Sequence, residues 1–306
     1  MRRSRDVWRL KRGEPGYPVA LDDLGERAPE VIHGCGEVSA LAEWDPAEAV
    51  TIVGARRASA YGVGVAEELG RLLGAAGLVV VSGMARGIDA AAHRGALDGG
   101  GRTIAVLGSA PDVVYPAGER RLYGLILQRG AVVSEWPSGT PPTAGCFPRR
   151  NRIMAALAQL TIVVEGAERS GSLITAREAA GIGRTVGAVP GPVNSWLSAG
   201  PNHLLADGAL VIRDAQDVLD SMLGIGVGSV RGTGPELEPA LIEALSLVEG
   251  GHATCDAVAL ALGAEPQRAA IALAQLELLG YLRADASGRY ARTTLVAPGE
   301  SEGEAT

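Results

Sequence analysis

The stretch Ala49-Val50-Thr51-Ile52-Val53-Gly54 shows the pattern that decides the fold of this chain. A short, mostly apolar run that ends at a glycine predicts a buried strand followed by a tight turn. Apolar residues then recur at helical spacing from Tyr61 to Leu73. A buried strand followed directly by an amphipathic helix is the repeating unit of α/β proteins.

The same pattern recurs along the following part of the chain. Further apolar strand patterns, most of them followed by a helical pattern, lie at residues 78–81, 103–107, 131–133, 160–164 and 185–189. Strands that alternate with helices favour right-handed crossovers and a parallel, doubly wound sheet. We therefore predict one α/β domain over residues 49–222, preceded by a short irregular segment over residues 1–48 that is rich in glycine and proline.

The C-terminal part of the chain has a different organisation. A glycine-rich stretch predicts a flexible linker over residues 223–237. Three helical patterns and a hairpin pattern follow it, at residues 239–248, 254–262, 266–279 and 281–292. This order predicts a small winged-helix domain over residues 238–296, and the Gly- and Glu-rich end predicts a disordered tail over residues 297–306.

The composition limits the classes of function. The net charge of −7 means that any nucleic-acid binding has to use a local basic patch, because general electrostatic binders are basic. Three scattered cysteines, Cys35, Cys146 and Cys255, predict neither a disulfide framework nor a zinc site. We also predict no cofactor. No apolar run is long enough to span a membrane and the basic start lacks an apolar signal core, so a cytoplasmic location is expected.

An arginine cluster beside the single phenylalanine of the chain is the strongest candidate binding motif. In Phe147-Pro148-Arg149-Arg150-Asn151-Arg152, three arginines occupy four positions. The planar guanidinium suits phosphate, and an adjacent aromatic ring gives a base a surface on which to stack. A solvated helix start after a proline turn explains this segment equally well when it is taken alone.

Loops at the ends of the predicted strands strengthen the first interpretation. In an open parallel sheet, ligands bind beyond the carboxyl ends of the strands, and helix N-termini there favour anions. The candidate residues in these loops are Gly54, Arg56, Ser82, Gly83, Arg169, Ser170, Gly171 and Ser172. The glycines alone could simply make tight turns, and Ser172 could be a helix N-cap rather than a phosphate ligand. Several such loops with arginines favour a phosphate-bearing ligand.

The catalytic patterns in the sequence are weak. No Gly-Lys-Ser/Thr phosphate loop is present. Ser82, Asp89 and His93 contain the residue types of a hydrolytic triad, but Asp89 and His93 share one helix start and there is no nucleophile elbow. We predict no catalytic residues, and we expect Asp89 to hold the loop at Ser82 through its backbone N–H groups.

Several segments match a known family in order and spacing. They are Ile52–Arg56, Ser82–Asp89, Ala92-His93, Tyr115-Pro116, Ser134-Glu135, Phe147–Ile153, Ser170–Ala176 and Val189–Gly191. From about Tyr17 to Asp220 the chain resembles the DprA/Smf family of DNA-processing proteins. This resemblance implies an extended Rossmann fold. It also implies a dimeric mediator, not an enzyme, that protects incoming single-stranded DNA and loads a RecA-type recombinase during natural transformation.

The resemblance also implies which residues contact DNA. Carried over to this sequence, they are Arg56, Phe147, Arg150, Asn151, Arg152 and Arg169. We add Arg149 from the same cluster. Two departures from the family pattern remove expected contacts: Ala144 stands where many members have a basic residue, and Ala55 stands where the first loop usually has a hydroxyl. The family usually carries a helical domain before the position of Tyr17, but here only Met1 to Gly16 precede it, so either the sequence starts late or that domain is absent.

Two other functions are alternatives to the mediator. The first is a nucleotide phosphoribohydrolase of the Lonely-guy type, which has a related fold but a Pro-Gly-Gly loop and a downstream glutamate where this chain has Ser170-Gly171-Ser172. The second is a transcription regulator that acts through the winged helix. It is disfavoured because the third helix has little positive charge beyond Arg268, and a groove-reading helix needs base-contacting side chains at its start.

Overall fold

The computed structural model describes residues 7–41, 44–224, 235, 237–284 and 288–292. The chain divides into two compact units, Met1–Gly228 and Ser229–Thr306. The predicted linker over residues 223–237 lies mostly outside the described residues, and the predicted tail over residues 297–306 lies wholly outside them. None of the helices in the described part of the chain has the length and apolar content that crossing a membrane requires.

The first unit is built on one sheet. Within the described residues its strands are β1 Trp8–Lys11, β2 Val31–Gly36, β3 Ala49–Val53, β4 Val79–Ser82, β5 Thr103–Val106, β6 Ala131–Ser134, β7 Leu160–Val163, β8 Thr185–Ala188 and β9 Leu210–Val211. The helices between and after them are α1 Ala60–Ala75, α2 Ile88–Asp98, α3 Arg120–Arg129, α4 Cys146–Ala156, α5 Gly171–Gly181, α6 Ala199–Ala206 and α7 Ala215–Leu223.

The strand order is β1-β2-β6-β5-β4-β3-β7-β8-β9. All neighbours from β6 to β9 are parallel. The predicted doubly wound, mostly parallel sheet is therefore confirmed, including all six predicted strands. The chain leaves β3 toward β4 on one side and later returns to β7 on the other. The crevice between β3 and β7 is the topological switch point, where proteins of this architecture bind ligands.

Both faces of the sheet are buried, which explains the continuous apolar runs in the sequence. On β5, Ile104 and Val106 pack into the core on one face, while Ala105 and the following Leu107 pack on the other. This alternation is the two-residue period of a strand covered by helices on both sides.

The N-terminal region differs from the irregular segment that we predicted over residues 1–48. β2 pairs antiparallel with β6, and β1 pairs antiparallel with β2. Tyr17 and Leu21, from the turn and 3-10 helix between them, belong to the main core. The strand β2 escapes prediction because it reads Val-Ile-His-Gly-Cys-Gly, which has few strand-forming residues in alternation. It forms because the edge of β6 offers an unpaired ladder.

The second unit contains the elements that the sequence predicted for it. These are α8 Pro239–Glu249, α9 Cys255–Leu262, α10 Pro266–Leu278 and an antiparallel pair, β10 Leu282–Ala284 and β11 Tyr290–Arg292. Its core includes Tyr281, which is fully buried and donates a hydrogen bond from its hydroxyl to the Pro235 carbonyl at 2.7 Å. The predicted hairpin over residues 281–292 lies partly outside the described residues, because residues 285–287 are not described.

Candidate nucleic-acid interface

Two pockets meet at the carboxyl edge of the sheet. One has a volume of about 490 Å³ and lies at the switch point, where Gly54, Asn151 and Ser172 are among its lining residues. We call it the switch-point pocket. The other has a volume of about 450 Å³ and is lined by residues that include Arg86 and Tyr115. We call it the tyrosine pocket. Four residues line both, namely Arg56, Ala85, Phe147 and Arg150.

Phe147 stands where the two pockets meet. It lies in the first turn of α4 and is half-buried. Pro148 is compatible with this position, because backbone N–H groups in the first turn of a helix have no partner within the helix, and the N–H that proline lacks is therefore not missed. The ring centroid of Phe147 lies 5.3 Å from that of Tyr115, and the Arg56 guanidinium carbon lies 5.0 Å from the Phe147 centroid. A cation and two aromatic rings thus form one cluster.

Arg150 is buried beneath this cluster. Its side chain donates to the Val106 carbonyl and to Asn151 Oδ1 at 3.2 Å, and a guanidinium nitrogen lies 3.6 Å from Asp89 Oδ2. The residue is only 4% exposed, and burial lowers its pKa to about 10, so that it stays protonated at neutral pH. Gly83 lies against the guanidinium with no room for a side chain. Arg150 therefore forms the floor of both pockets.

Asp89 joins the loop after β4 to Arg150. It accepts a hydrogen bond from the Ala85 backbone N–H at 3.4 Å, so the predicted role of Asp89 in holding this loop is confirmed. Burial raises the pKa of Asp89, and the nearby charge of Arg150 opposes that shift.

Ser82 and His93 point to other partners and do not form a triad with Asp89. The Ser82 hydroxyl is fully buried and donates to the Ile52 carbonyl at 2.6 Å. His93 Nδ1 lies 2.6 Å from Thr103 Oγ1, and burial lowers the pKa of this histidine to about 3. Ser82 was predicted as a DNA contact, but in the structure it lies behind the surface and holds β4 to β3.

Arg149 and Arg152 face a different site from Arg150. Arg152 is 6% exposed; its guanidinium lies 2.7 Å from Glu135 and donates to the Arg27 carbonyl at 2.8 Å. Arg149 is exposed, lies 3.0 Å from Glu135 and stacks over Trp136 at 5.3 Å. Both line a separate pocket of about 920 Å³ whose wall also holds Glu26, Glu30, Glu135 and Glu178. Arg150 and Arg152 are two residues apart on α4, so their side chains point in widely different directions. The arginine cluster is therefore split between two sites.

Hydrogen bonds to the start of α1 and to α4 hold the loop after β7 in place. The buried Glu165 carboxylate accepts from the backbone N–H and the hydroxyl of Ser59, at 2.9 and 2.5 Å, and so neutralises the start of α1. Ser170, and not Ser172, is the N-cap of α5. The Asn151 amide donates to the Gly171 carbonyl at 3.1 Å. At this one of the helix N-termini expected to favour anions, a carboxylate of the protein itself lies beside the N-cap residue.

Four exposed arginines near these loops differ from the buried ones. Within the described residues, Arg56, Arg57, Arg86 and Arg169 form no ion pair with a carboxylate. The sequence reasoning selected Arg56 and Arg169 but missed Arg57, Arg86 and Tyr115. The available signals were the position of Arg57 beside Arg56 and the inclusion of Arg86 and Tyr115 in segments of the family pattern.

The structure brings together most of the predicted site residues, with clear exceptions. The switch-point pocket is lined by Gly54, Arg56, Phe147, Arg150, Asn151, Ser170, Gly171 and Ser172. Gly83 lines the tyrosine pocket, and Arg169 lines a neighbouring surface groove. Ala144 is part of the switch-point wall, so the expected basic residue is missing from that wall. In the described part of the chain, no group of three His, Cys, Asp or Glu residues could hold a metal ion.

A doubly wound parallel sheet with a basic and aromatic pocket at its switch point defines a Rossmann-like ligand-binding protein. The family model for DNA recombination-mediator protein A matches residues 8–223. The chain belongs to this family, and the resemblance drawn from the sequence is confirmed.

Curated relatives agree with this assignment. The putative DNA processing protein DprA of Mycobacterium tuberculosis is 42% identical over 240 residues, which are 76% of this chain and 61% of the relative. The DNA processing protein DprA of Streptococcus pneumoniae is 45% identical over 203 residues, 66% of this chain and 70% of that protein. The chain therefore spans about three fifths of the length of the mycobacterial relative.

Two solved structures share the fold. DNA processing protein A from Streptococcus pneumoniae superposes with a TM-score of 0.65 at 39% identity, covering 70% of this chain and 74% of the other. DNA processing protein A from Helicobacter pylori, which binds single-stranded DNA, superposes with a TM-score of 0.63 at 30% identity, covering 71% of this chain and 96% of that one.

Proposed function

We propose that this protein binds single-stranded DNA at the carboxyl edge of its sheet and acts as a recombination mediator. The observation that carries the proposal is the cluster at the mouth of the two pockets. There the rings of Phe147 and Tyr115 lie beside the guanidinium of Arg56, which pairs with no carboxylate of the described residues. Base stacking on aromatic side chains together with phosphate contacts from arginine is how proteins hold single strands without reading sequence.

The charge distribution supports a local DNA site. The whole chain carries a net charge of −7, which disfavours binding over a general surface. Arg56, Arg57 and Arg86 concentrate positive charge around the tyrosine pocket, and a concave site with one sign of charge focuses the field there. The preference for single strands follows because a base has to leave its stack to enter a pocket and reach an aromatic ring.

The predicted contact residues take different parts in this proposal. Arg56 and Phe147 contact the strand directly, and Gly54, Gly171 and Ser172 let the strand approach the backbone at the switch point. Arg150 and Asn151 shape the pocket floor, since both are buried and hydrogen-bonded.

Arg149 and Arg152 fix α4 through Glu135, and Ser82 and Gly83 support the floor from below. The predicted set of DNA contacts thus separates into residues that touch the strand and residues that hold them in place.

The mediator role extends this binding. We propose that the protein protects incoming single-stranded DNA and loads a RecA-type recombinase during natural transformation. In this role it acts as a homodimer in the cytoplasm and performs no catalysis. The supporting findings are membership of the DNA recombination-mediator protein A family and the single-stranded DNA binding of the Helicobacter pylori relative.

Competition binding tests the proposal. The full chain should bind a labelled single strand, blunt duplex should compete poorly, and base sequence should matter little. Affinity should fall with salt, with a log–log slope of about −0.7 per neutralised phosphate. Arg56→Ala should weaken binding, whereas Arg129→Ala should not. Arg129 is also an exposed arginine, and it precedes β6, at the opposite edge of the sheet. Equal affinity for duplex would contradict the proposal.

The mediator step needs its own readout. A RecA-type recombinase hydrolyses ATP on DNA, so its ATPase rate on single strands precoated with a single-strand-binding protein reports loading. The wild-type chain should raise that rate. If the chain binds single strands normally and leaves the rate unchanged, the DNA site stands and the mediator role is wrong.

A further inference from the structure

Beyond β8, an indole ring stands exposed on the surface. Trp196 is 66% exposed, and Val193 in the same loop is 97% exposed. Together with Arg169 they line a shallow groove of about 560 Å³, which we call the Trp196 groove. Leu197 and Ser198, next in sequence, are buried. Leu197 and Ser198 are therefore packed in the core, whereas the ring of Trp196 is not.

The loop that carries Trp196 is held firmly in place. The Leu197 carbonyl accepts from the Gly166 N–H at 2.6 Å, which joins the loop to the one after β7. The Asn202 side chain makes two hydrogen bonds with the backbone of Gly191, at 3.2 and 3.0 Å. The Tyr61 hydroxyl donates to the Pro190 carbonyl at 3.0 Å. A ring presented on a fixed loop loses little conformational entropy when a ligand stacks on it.

The Trp196 groove continues the proposed DNA site. The loop after β7 borders both, because residues 170–172 line the switch-point pocket and residues 167–169 line the groove. Arg169 forms no ion pair with the carboxylates of the described residues and can meet a phosphate. Glu168 also lines the groove, and its carboxylate disfavours phosphate at its own end. The charge pattern therefore favours a phosphate at the Arg169 end of the groove over the Glu168 end.

We propose that Trp196 is a second stacking platform for the same DNA strand. A strand with one base at Phe147 passes over the loop after β7, places a phosphate at Arg169 and stacks a later base on Trp196. This inference rests on the proposed single-stranded DNA binding and extends the site toward β8. Because every base has a stacking face, the second platform lengthens the binding site without adding sequence preference.

A length series of oligothymidylates tests this extension in the full chain. Lengths from about 4 to about 16 nucleotides cover the site sizes that are common for single-strand binding. Trp196→Ala should weaken binding of the longer oligonucleotides by about fivefold or more and leave the shortest ones unchanged. Trp196→Phe keeps an aromatic face and should restore most of the affinity. Phe147→Ala should weaken binding at every length.

Intrinsic fluorescence gives a second measurement, because the chain has four tryptophans and Trp196 is the exposed one. Long oligonucleotides should quench the wild type. Trp136→Phe should keep this quenching and Trp196→Phe should lose it. Failure of the wild type to bind any oligonucleotide would overturn the proposed function itself.

If the wild type binds DNA, either of two outcomes would overturn the Trp196 proposal and leave the proposed function intact. One is wild-type affinity of Trp196→Ala at every length. The other is a change in its oligomeric state on size-exclusion chromatography, which would make the groove a contact between copies of this chain.

Discussion

Two sets of arginines in the first unit have the same side chain and opposite surroundings. Arg150 and Arg152, in the middle of α4, are buried and held by Asp89, Glu135 and backbone carbonyls. Arg56 and Arg169, in the loops after β3 and β7, are exposed and free of carboxylate partners among the described residues. Two of the three arginines in the densest cluster of the sequence, Arg150 and Arg152, are thus buried and already paired.

This difference has a physical cause. A guanidinium removed from water has to be paired and hydrogen-bonded, and its donors are then used up. An exposed guanidinium keeps its donors hydrated and can exchange water for phosphate. Under the proposed function, the loops therefore supply the DNA contacts, and the middle of α4 supplies the frame that holds Phe147 and the pocket floor.

Charge reversal of the exposed pair should have the largest effect on binding. Arg56→Glu combined with Arg169→Glu should abolish single-stranded DNA binding in a fluorescence anisotropy titration, because two phosphate contacts become repulsive. Stability should stay within about 0.5 kcal/mol of the wild type, as for surface changes in general.

The matched control for this reversal is Arg102→Glu combined with Arg129→Glu. It makes the same change of charge at exposed positions that precede β5 and β6, at the opposite edge of the sheet. If this control abolishes binding equally, net charge and not a local site determines affinity.

Removal of the buried guanidinium should instead affect stability. Arg150→Met leaves Asp89 buried without its cation and should lower the free energy of unfolding by about 3–5 kcal/mol. Asp89→Asn added to Arg150→Met should recover part of this loss. Tryptophan fluorescence during chemical denaturation reports on the first unit, since all four tryptophans lie in it.

Arg56→Met is the exposed counterpart and should leave stability within about 0.5 kcal/mol of the wild type. A stable Arg150→Met protein with lost DNA affinity would break the comparison and make Arg150 a direct contact.

The smallest expected effect concerns the ring at the pocket mouth. Phe147→Ala should weaken single-stranded DNA binding by about 1–3 kcal/mol, the range of one base-stacking contact. Phe147→Leu keeps most of the apolar volume in this half-buried first turn but has no aromatic face. It should therefore preserve stability and still lose affinity, which a parallel thermal melt and binding titration would show. Wild-type affinity of Phe147→Leu would mean that the ring packs α4 and does not stack on DNA.

Much of the fold could be predicted because it depends on local pattern. The buried parallel strands appear in the sequence as short apolar runs, and β3 with its glycine turn is the clearest of them. The strands β1 and β2 could not be found in this way. β2 pairs with the free edge of β6, which is distant in sequence, and β1 in turn pairs with β2. A partner that is remote along the chain leaves no periodic signal in the segment that it orders.

The candidate site, like the fold, has some features that follow from the sequence and others that depend on contacts between distant residues. The sequence by itself determined the alternation of strands and helices, the family, and the set of loops that meet at one sheet edge, because these follow from residue type, spacing and parallel topology. Only the tertiary structure decided which arginine is buried, which carboxylate neutralises a helix start and which rings meet at the pocket mouth. Arg150 and Arg56 are the same residue type in the sequence, but Arg150 is buried beside Asp89 and Arg56 is exposed to water. This difference in surroundings gives the two arginines different properties.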